Sequence, residues 1–166
     1  MGEPYSSEAL AEKYLTAVDH FCDAVLSVPP DRLDFRNSPD SWSSREIAFH
    51  AAEVDQNLGV RLRRLLTEDH PVLAGVNLQG WVNALRPAQL DVALAIDSLR
   101  ASSAINVALI ETLEPSSLRR MGRHSEGHDV SVQGLCLYMA LHLESHVRQL
   151  ARVKTAWQRQ DLHGTA

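Results

Sequence analysis

The sequence predicts an all-α protein, a four-helix bundle, and three observations carry that prediction. Four separate stretches place apolar residues three or four positions apart, the repeat of a helix with one buried face. Leu and Ala, both strong helix formers, fill about a quarter of the 166 residues. Aromatic residues are only 5% of the chain, too few for the core of a typical β-sandwich. A chain of this length is expected to form a single domain over residues 1–166, with a core that needs no staples.

The first stripe is Leu10, Tyr14, Val18, Phe21, Val25 and Val28. It predicts a helix near 7–28, capped by Ser6 or Ser7 and stopped by Pro29-Pro30. The polar stretch 31–41 reads as a loop. Ser43 and Glu46 form the S-x-x-E capping box, in which side chain and backbone satisfy each other's free donors. Trp42 and Ile47 stand at the spacing of a hydrophobic staple. The stripe Ile47, Ala51, Val54, Leu58, Leu62, Leu65 then predicts a second helix near 43–67, with His50 on its apolar face.

Residues 70–86 show no clear period and contain Pro71, Gly75 and Gly80. A connection this long is unusual inside a bundle and lets the third helix run parallel to the second. That third helix is expected near 87–113, opened by Pro87 and closed by Pro115. Residues 114–129 read as a polar loop carrying His124 and His128. The fourth helix is expected near 131–157, with the stripe Leu135, Met139, His142, His146, Leu150, Val153, Trp157. Residues 158–166 read as a frayed tail.

Composition excludes several roles. The net charge is −5, which argues against a nucleic-acid binder or a partner of acidic membranes. No uninterrupted apolar run reaches 18 residues, so no membrane span is expected, and the first 20 residues lack the pattern of a signal peptide. Cys22 and Cys136 are distant and form no CxxC pair, as expected of buried thiols in a reducing cytoplasm. E-x-x-H, H-E-x-x-H, G-x-S-x-G, the P-loop and G-x-G-x-x-G are all missing from the sequence.

The histidines carry the remaining chemistry. His142 and His146, four apart, share one helix face and can reach one ion. His50 could add a third nitrogen if the second and fourth helices are neighbours. Three imidazoles with an open position make a catalytic rather than a structural site, and zinc, nickel, copper and iron all accept imidazole. A single inward histidine is more often an ordinary core residue. Three of them on two apolar stripes would leave three buried polar rings in need of partners. Glu53, one turn after His50, could hydrogen-bond to a ligating histidine or act as a general base, or be a solvated carboxylate. His124 and His128 could fold over the open end of the site, or stay exposed. Metal binding through imidazole should weaken as pH falls through about 6.5.

The run Trp42-Ser43-Ser44-Arg45-Glu46-Ile47-Ala48-Phe49-His50, followed far downstream by His142-x-x-x-His146-x-x-Gln149-Leu150, resembles the DinB-like (YfiT-like) family. The resemblance spans about residues 8–157. It implies an up-down-down-up bundle, a homodimer, and one divalent transition-metal ion, zinc or nickel, on His50, His142 and His146. It also implies a metal-dependent small-thiol S-transferase acting on an electrophile. The alternatives are a hydrolase using metal-activated water, or a non-catalytic metal-binding stress-response protein.

Overall fold

The computed structural model describes residues 5–163. Four long helices form the bundle: α1 (Ser7–Leu26), α2 (Ser44–Thr67), α4 (Val92–Glu111) and α6 (Val132–His163). Two short helices, α3 (Leu78–Leu85) and α5 (Pro115–Leu118), lie in the connections with three short strands, β1 (Val72–Leu73), β2 (Met121–His124) and β3 (Asp129–Ser131).

Local chemistry sets the helix starts. Ser6 caps α1 by accepting from the Ala9 N–H at 3.2 Å. At α2 the full capping box forms: Ser43 Oγ accepts from Glu46 N–H, and Glu46 Oε2 accepts from Ser43 N–H at 2.9 Å. The apolar faces then meet in one core. Tyr14, Phe21, Ile47, Leu62, Leu99, Ile110, Met139 and Leu143 are each at most 1% exposed. Burial on that scale contributes roughly 1.5–3 kcal/mol per large apolar side chain.

Around the bundle the helices neighbour one another in the order α1, α4, α2, α6, with α1 and α2 on the diagonal. Arg45 donates to Leu90 O at the start of α2 and just before α4, Gln56 to Ser98 farther along, and Arg63 to Asn106 beyond that. The two helices are therefore parallel. Lys13 meets Glu144, and Arg32, past the end of α1, meets Asp161, so α1 and α6 are parallel as well. On α2 and α6 the order reverses: His50 meets His142 and His146, whereas Leu58 lies across from Leu135. The topology is up-down-down-up.

The connections differ from their reading as loops. Residues 70–86 contain β1 and α3, the latter capped by Asn77, whose side chain accepts from Gly80 N–H at 2.9 Å. Leu78, Val82 and Leu85 do have helical spacing, but a helix of eight residues is too short to announce itself against an internal glycine. Residues 114–129 contain α5, β2 and part of β3. The sheet order is β1-β2-β3, with β1 parallel to β2 and β2 antiparallel to β3. Gly122 lets this sheet lie against the end of α2, because a Cβ there would stand 2.7 Å from Leu65 Cδ2 and 2.8 Å from Pro71 O. Arg120 adds hydrogen bonds to the Leu65 and Glu68 carbonyls, which α2 itself leaves unpaired.

Three boundaries also move. Pro87 opens a 3-10 turn (Pro87–Gln89), not the third long helix, which begins after Asp91 caps it through Ala93 N–H. Val28 lies beyond α1, which ends at Leu26. The stretch expected as a frayed tail is helical from 158 to 163, where Arg32 sits over Trp157 and pairs with Asp161 at 2.8 Å; residues 164–166 lie outside the described residues.

Candidate functional site

His50 sits in the second turn of α2, and the capping box fixes its rotation about the helix axis. Arg36 holds the box carboxylate, with its Nη2 2.5 Å from Glu46 Oε1. Arg45 ties the preceding loop down by a two-pronged pair with Asp34. His142 and His146 project from one face of α6 toward the same point. The three rings gather with centroids 4.5–5.4 Å apart, and one ligating nitrogen from each lies within 4.8 Å of the other two. Packing of α2 against α6 thus brings together the three histidines singled out in the sequence.

Their protonation is constrained. His146 Nδ1 lies 2.8 Å from Gln149 Oε1, and its Nε2 lies 3.1 Å from His142 Nε2. An Nδ1–H donated to Gln149 leaves Nε2 as a lone pair facing its neighbour. Burial, reinforced by His146, lowers the His50 pKa to about 4. Burial, with His146 and His50 adding to it, lowers that of His142 to about 3. His146 is also lowered by burial, with Gln149 opposing. The rings are neutral at pH 7, the form that binds metal. Proton competition therefore begins below the pH 6.5 expected for an ordinary imidazole, a correction that follows from desolvation.

The donor set fits a divalent ion. His50 is 4% exposed, yet among the described residues no protein group hydrogen-bonds to its ring. With no hydrogen bond inside the protein, a His50 ring nitrogen is left free to bind an ion. His142 and His146 nitrogens 3.1 Å apart can both reach one ion at the usual bond length of about 2.0–2.1 Å.

Trp42 has a role the sequence did not reveal. Its ring centroid lies 4.4 Å from that of His50, and its Nε1–H donates to Gln79 Oε1 in α3 at 2.9 Å. It thus screens His50 from solvent. Tyr138, one turn before His142, has its ring 5.8 Å from that histidine.

The other candidates are not among the three clustered ligating groups. Glu53 falls outside the three-nitrogen cluster; its Oε2 is sealed from solvent with no hydrogen-bond partner, and burial raises its pKa. His124 and His128 stack on each other at 4.7 Å on the β2–β3 hairpin, not over the histidine trio. Cys22 and Cys136 are buried and unpaired; burial raises both thiols, Cys136 to about 12, so neither offers a thiolate. Asp55 is buried between Tyr14 and Ser102, which both donate to it; in the sequence a carboxylate on an apolar face looks like a break in the stripe.

Residues 12–150 match the sequence model of the DinB superfamily. A protein of Oceanobacillus iheyensis named "Putative metal-dependent hydrolase" is 22% identical over 135 residues, 80% of this chain and 78% of that one. A second protein of that organism with the same description is 26% identical over 142 residues, 85% of this chain and 79% of that one. Among solved structures, YfiT from Bacillus subtilis, described as "a probable metal-dependent hydrolase with an unusual four-helix bundle topology", superposes with a TM-score of 0.84 at 19% identity, covering 95% of this chain and 93% of its own. A mycothiol-dependent maleylpyruvate isomerase superposes with a TM-score of 0.71 at 11% identity, covering 88% of this chain but 61% of that one. Likeness at these identities establishes the shared fold.

Proposed function

The chain is a member of the DinB superfamily, and on that premise we propose that it is a divalent-metal-dependent enzyme whose nucleophile is a small thiol. The observation that carries the reading is the convergence of His50, His142 and His146 on one point, a donor set that leaves a coordination position free. All-nitrogen ligation suits zinc or nickel.

When bound there, a divalent ion supplies the positive charge that stabilises a thiolate, or that lowers the pKa of water toward about 7. The protein's own contribution is threefold. His50, His142 and His146 offer neutral nitrogens because burial keeps them unprotonated. Gln149 fixes the His146 tautomer, and Trp42 limits access of water. Glu53, with its raised pKa, is the candidate proton acceptor for the thiol S–H. The sulfur electron pair then bonds to an electrophilic carbon of the second substrate as that carbon's bond to its leaving group breaks, and the leaving group departs with the bonding pair and takes up the proton held by Glu53. A thiol from outside is required, since Cys22 and Cys136 stay protonated. The likeness in fold to a mycothiol-dependent enzyme supports this choice.

The second reading is hydrolysis, supported by the names that the relatives carry; Glu53 would then take a proton from water. Metal analysis followed by conjugation assays with several small thiols tests the pair. Turnover that requires both metal and thiol is the expected result. Metal-dependent hydrolysis indifferent to thiol would favour the second reading, and a protein that retains no metal would reject both. Replacing Glu53 with Gln should lower kcat by about 10²–10⁴-fold with metal content unchanged; unaltered kcat would remove Glu53 from the mechanism.

A further inference from the structure

A cavity of about 530 Å³ lies between α2, α6, β1 and the β2–β3 hairpin. It lies farther along α2 and α6 than the histidine trio, none of which is among its lining residues. Val54, Leu58 and Arg61 follow His50 along one face of α2, and Tyr138 and Leu135 precede His142 on α6. Because α2 and α6 are antiparallel, both series lead away from the histidines in one direction. Arg61 stands eleven residues from His50, a rise of about 16 Å along the helix axis. The guanidinium extends into a space lined by aliphatic side chains such as Val54, Leu58 and Leu135 on the helices and by His124, Glu126, His128 and Asp129 on the hairpin.

Arg61 is partly buried, and its one hydrogen bond is from Nη2 to Ala74 O at 2.6 Å. Among the described residues it has no carboxylate within ion-pair distance, unlike Arg36, Arg45, Arg64 and Arg123, which are each paired. The charges facing it from other elements are those of Glu126 on the hairpin and, when ionised, Tyr138 on α6. A guanidinium cannot shed its charge, and with Glu126 near but not in ion-pair contact its fork remains open to an anion that presents two oxygens.

We propose that Arg61 is the anion-binding end of this cavity, and that it takes the carboxylate of a small molecule whose apolar body lies along Val54, Leu58 and Leu135. That the opposite end of the molecule reacts at the histidines rests on the function proposed above; the carboxylate site stands without it. The cavity thus selects elongated, singly anionic substrates with an aliphatic middle over neutral ones of the same length.

Calorimetric titration of the full chain, with no metal added, tests this using octanoate and 1-octanol as probes. Octanoate is expected to bind at least about tenfold more tightly than octanol, a difference of about 1.4 kcal/mol. Arg61→Gln should remove that preference while leaving octanol binding as it was. Arg61→Lys, which keeps the charge and guards against misfolding of the first variant, should retain part of it. Equal binding of the two probes by the unaltered protein, no octanoate binding at millimolar concentration, or an octanoate affinity indifferent to Arg61→Gln would each overturn the proposal. His142→Ala should leave octanoate binding intact, so failure of the metal reading and failure of this one are read separately.

Discussion

The Nε2 atoms of His142 and His146 face each other at 3.1 Å, one helical turn apart on α6. Neutral imidazoles can sit this way only if one donates to the other, or if both lone pairs point at a shared cation. His50, buried beside them without a hydrogen bond of its own, favours the cation.

Removing a ligand should therefore show in metal content before it shows in folding. His142→Ala and His50→Ala are each expected to reduce bound metal, measured by elemental analysis after dialysis, to well below one ion per chain. Gln149→Leu leaves the three nitrogens but frees the His146 tautomer, and should weaken affinity about 10–100-fold. Stoichiometric metal in a variant lacking all three histidines would place the site elsewhere.

Stability of the metal-free protein should depend on acid in a defined direction. The folded histidines are depressed, His50 to about 4 and His142 to about 3, against about 6.5 in an unfolded chain. Between those limits the unfolded state binds protons that the folded state refuses. The histidine contribution is thus complete above about pH 6.5 and is lost as pH falls toward 4 and then 3. Urea midpoints should drop between pH 7 and pH 5, and the drop should shrink when His50 and His142 are replaced by Gln. A midpoint unchanged over that interval would contradict the burial argument.

The Tyr14 hydroxyl donates to Asp55, whose other oxygen accepts from Ser102 at 2.5 Å. This links α1, α2 and α4 at the centre of the bundle. Burial raises the Asp55 pKa while the two hydroxyl donors oppose it. Tyr14→Phe keeps the ring but strands one carboxyl oxygen, and should cost about 1–3 kcal/mol in denaturant unfolding. A loss within error of zero would mean that solvent or a rearranged partner replaces the hydroxyl.

Helix α4 is apolar on more than one side: its charged residues are only Asp97, Arg100 and Glu111, and Leu94 and Ile105 are 56% and 61% exposed. We propose that this face joins two copies of the chain. Light scattering at micromolar concentration should give twice the chain mass, and Ile105→Glu should return it to one. A monomeric unaltered protein is the result that excludes the dimer.

Features that depend only on neighbours along the chain are legible without the fold. The apolar stripes needed only helical periodicity, the start of α2 needed only Ser43 and Glu46, and the His142–His146 pair needed only a four-residue step. The short elements in the connections were not legible, because β1, β2 and β3 are two to four residues each and exist only by pairing with one another and by closing over the end of α2 at Gly122. Tertiary structure alone decided that His50 meets the pair on α6, since that depends on α2 and α6 being adjacent and antiparallel. The same packing put Trp42 over His50, sent His124 and His128 to the hairpin, and left Glu53 outside the cluster. It also set the acidity of the histidines: a sequence specifies an imidazole, but the water that is removed from around it is a property of the packed bundle.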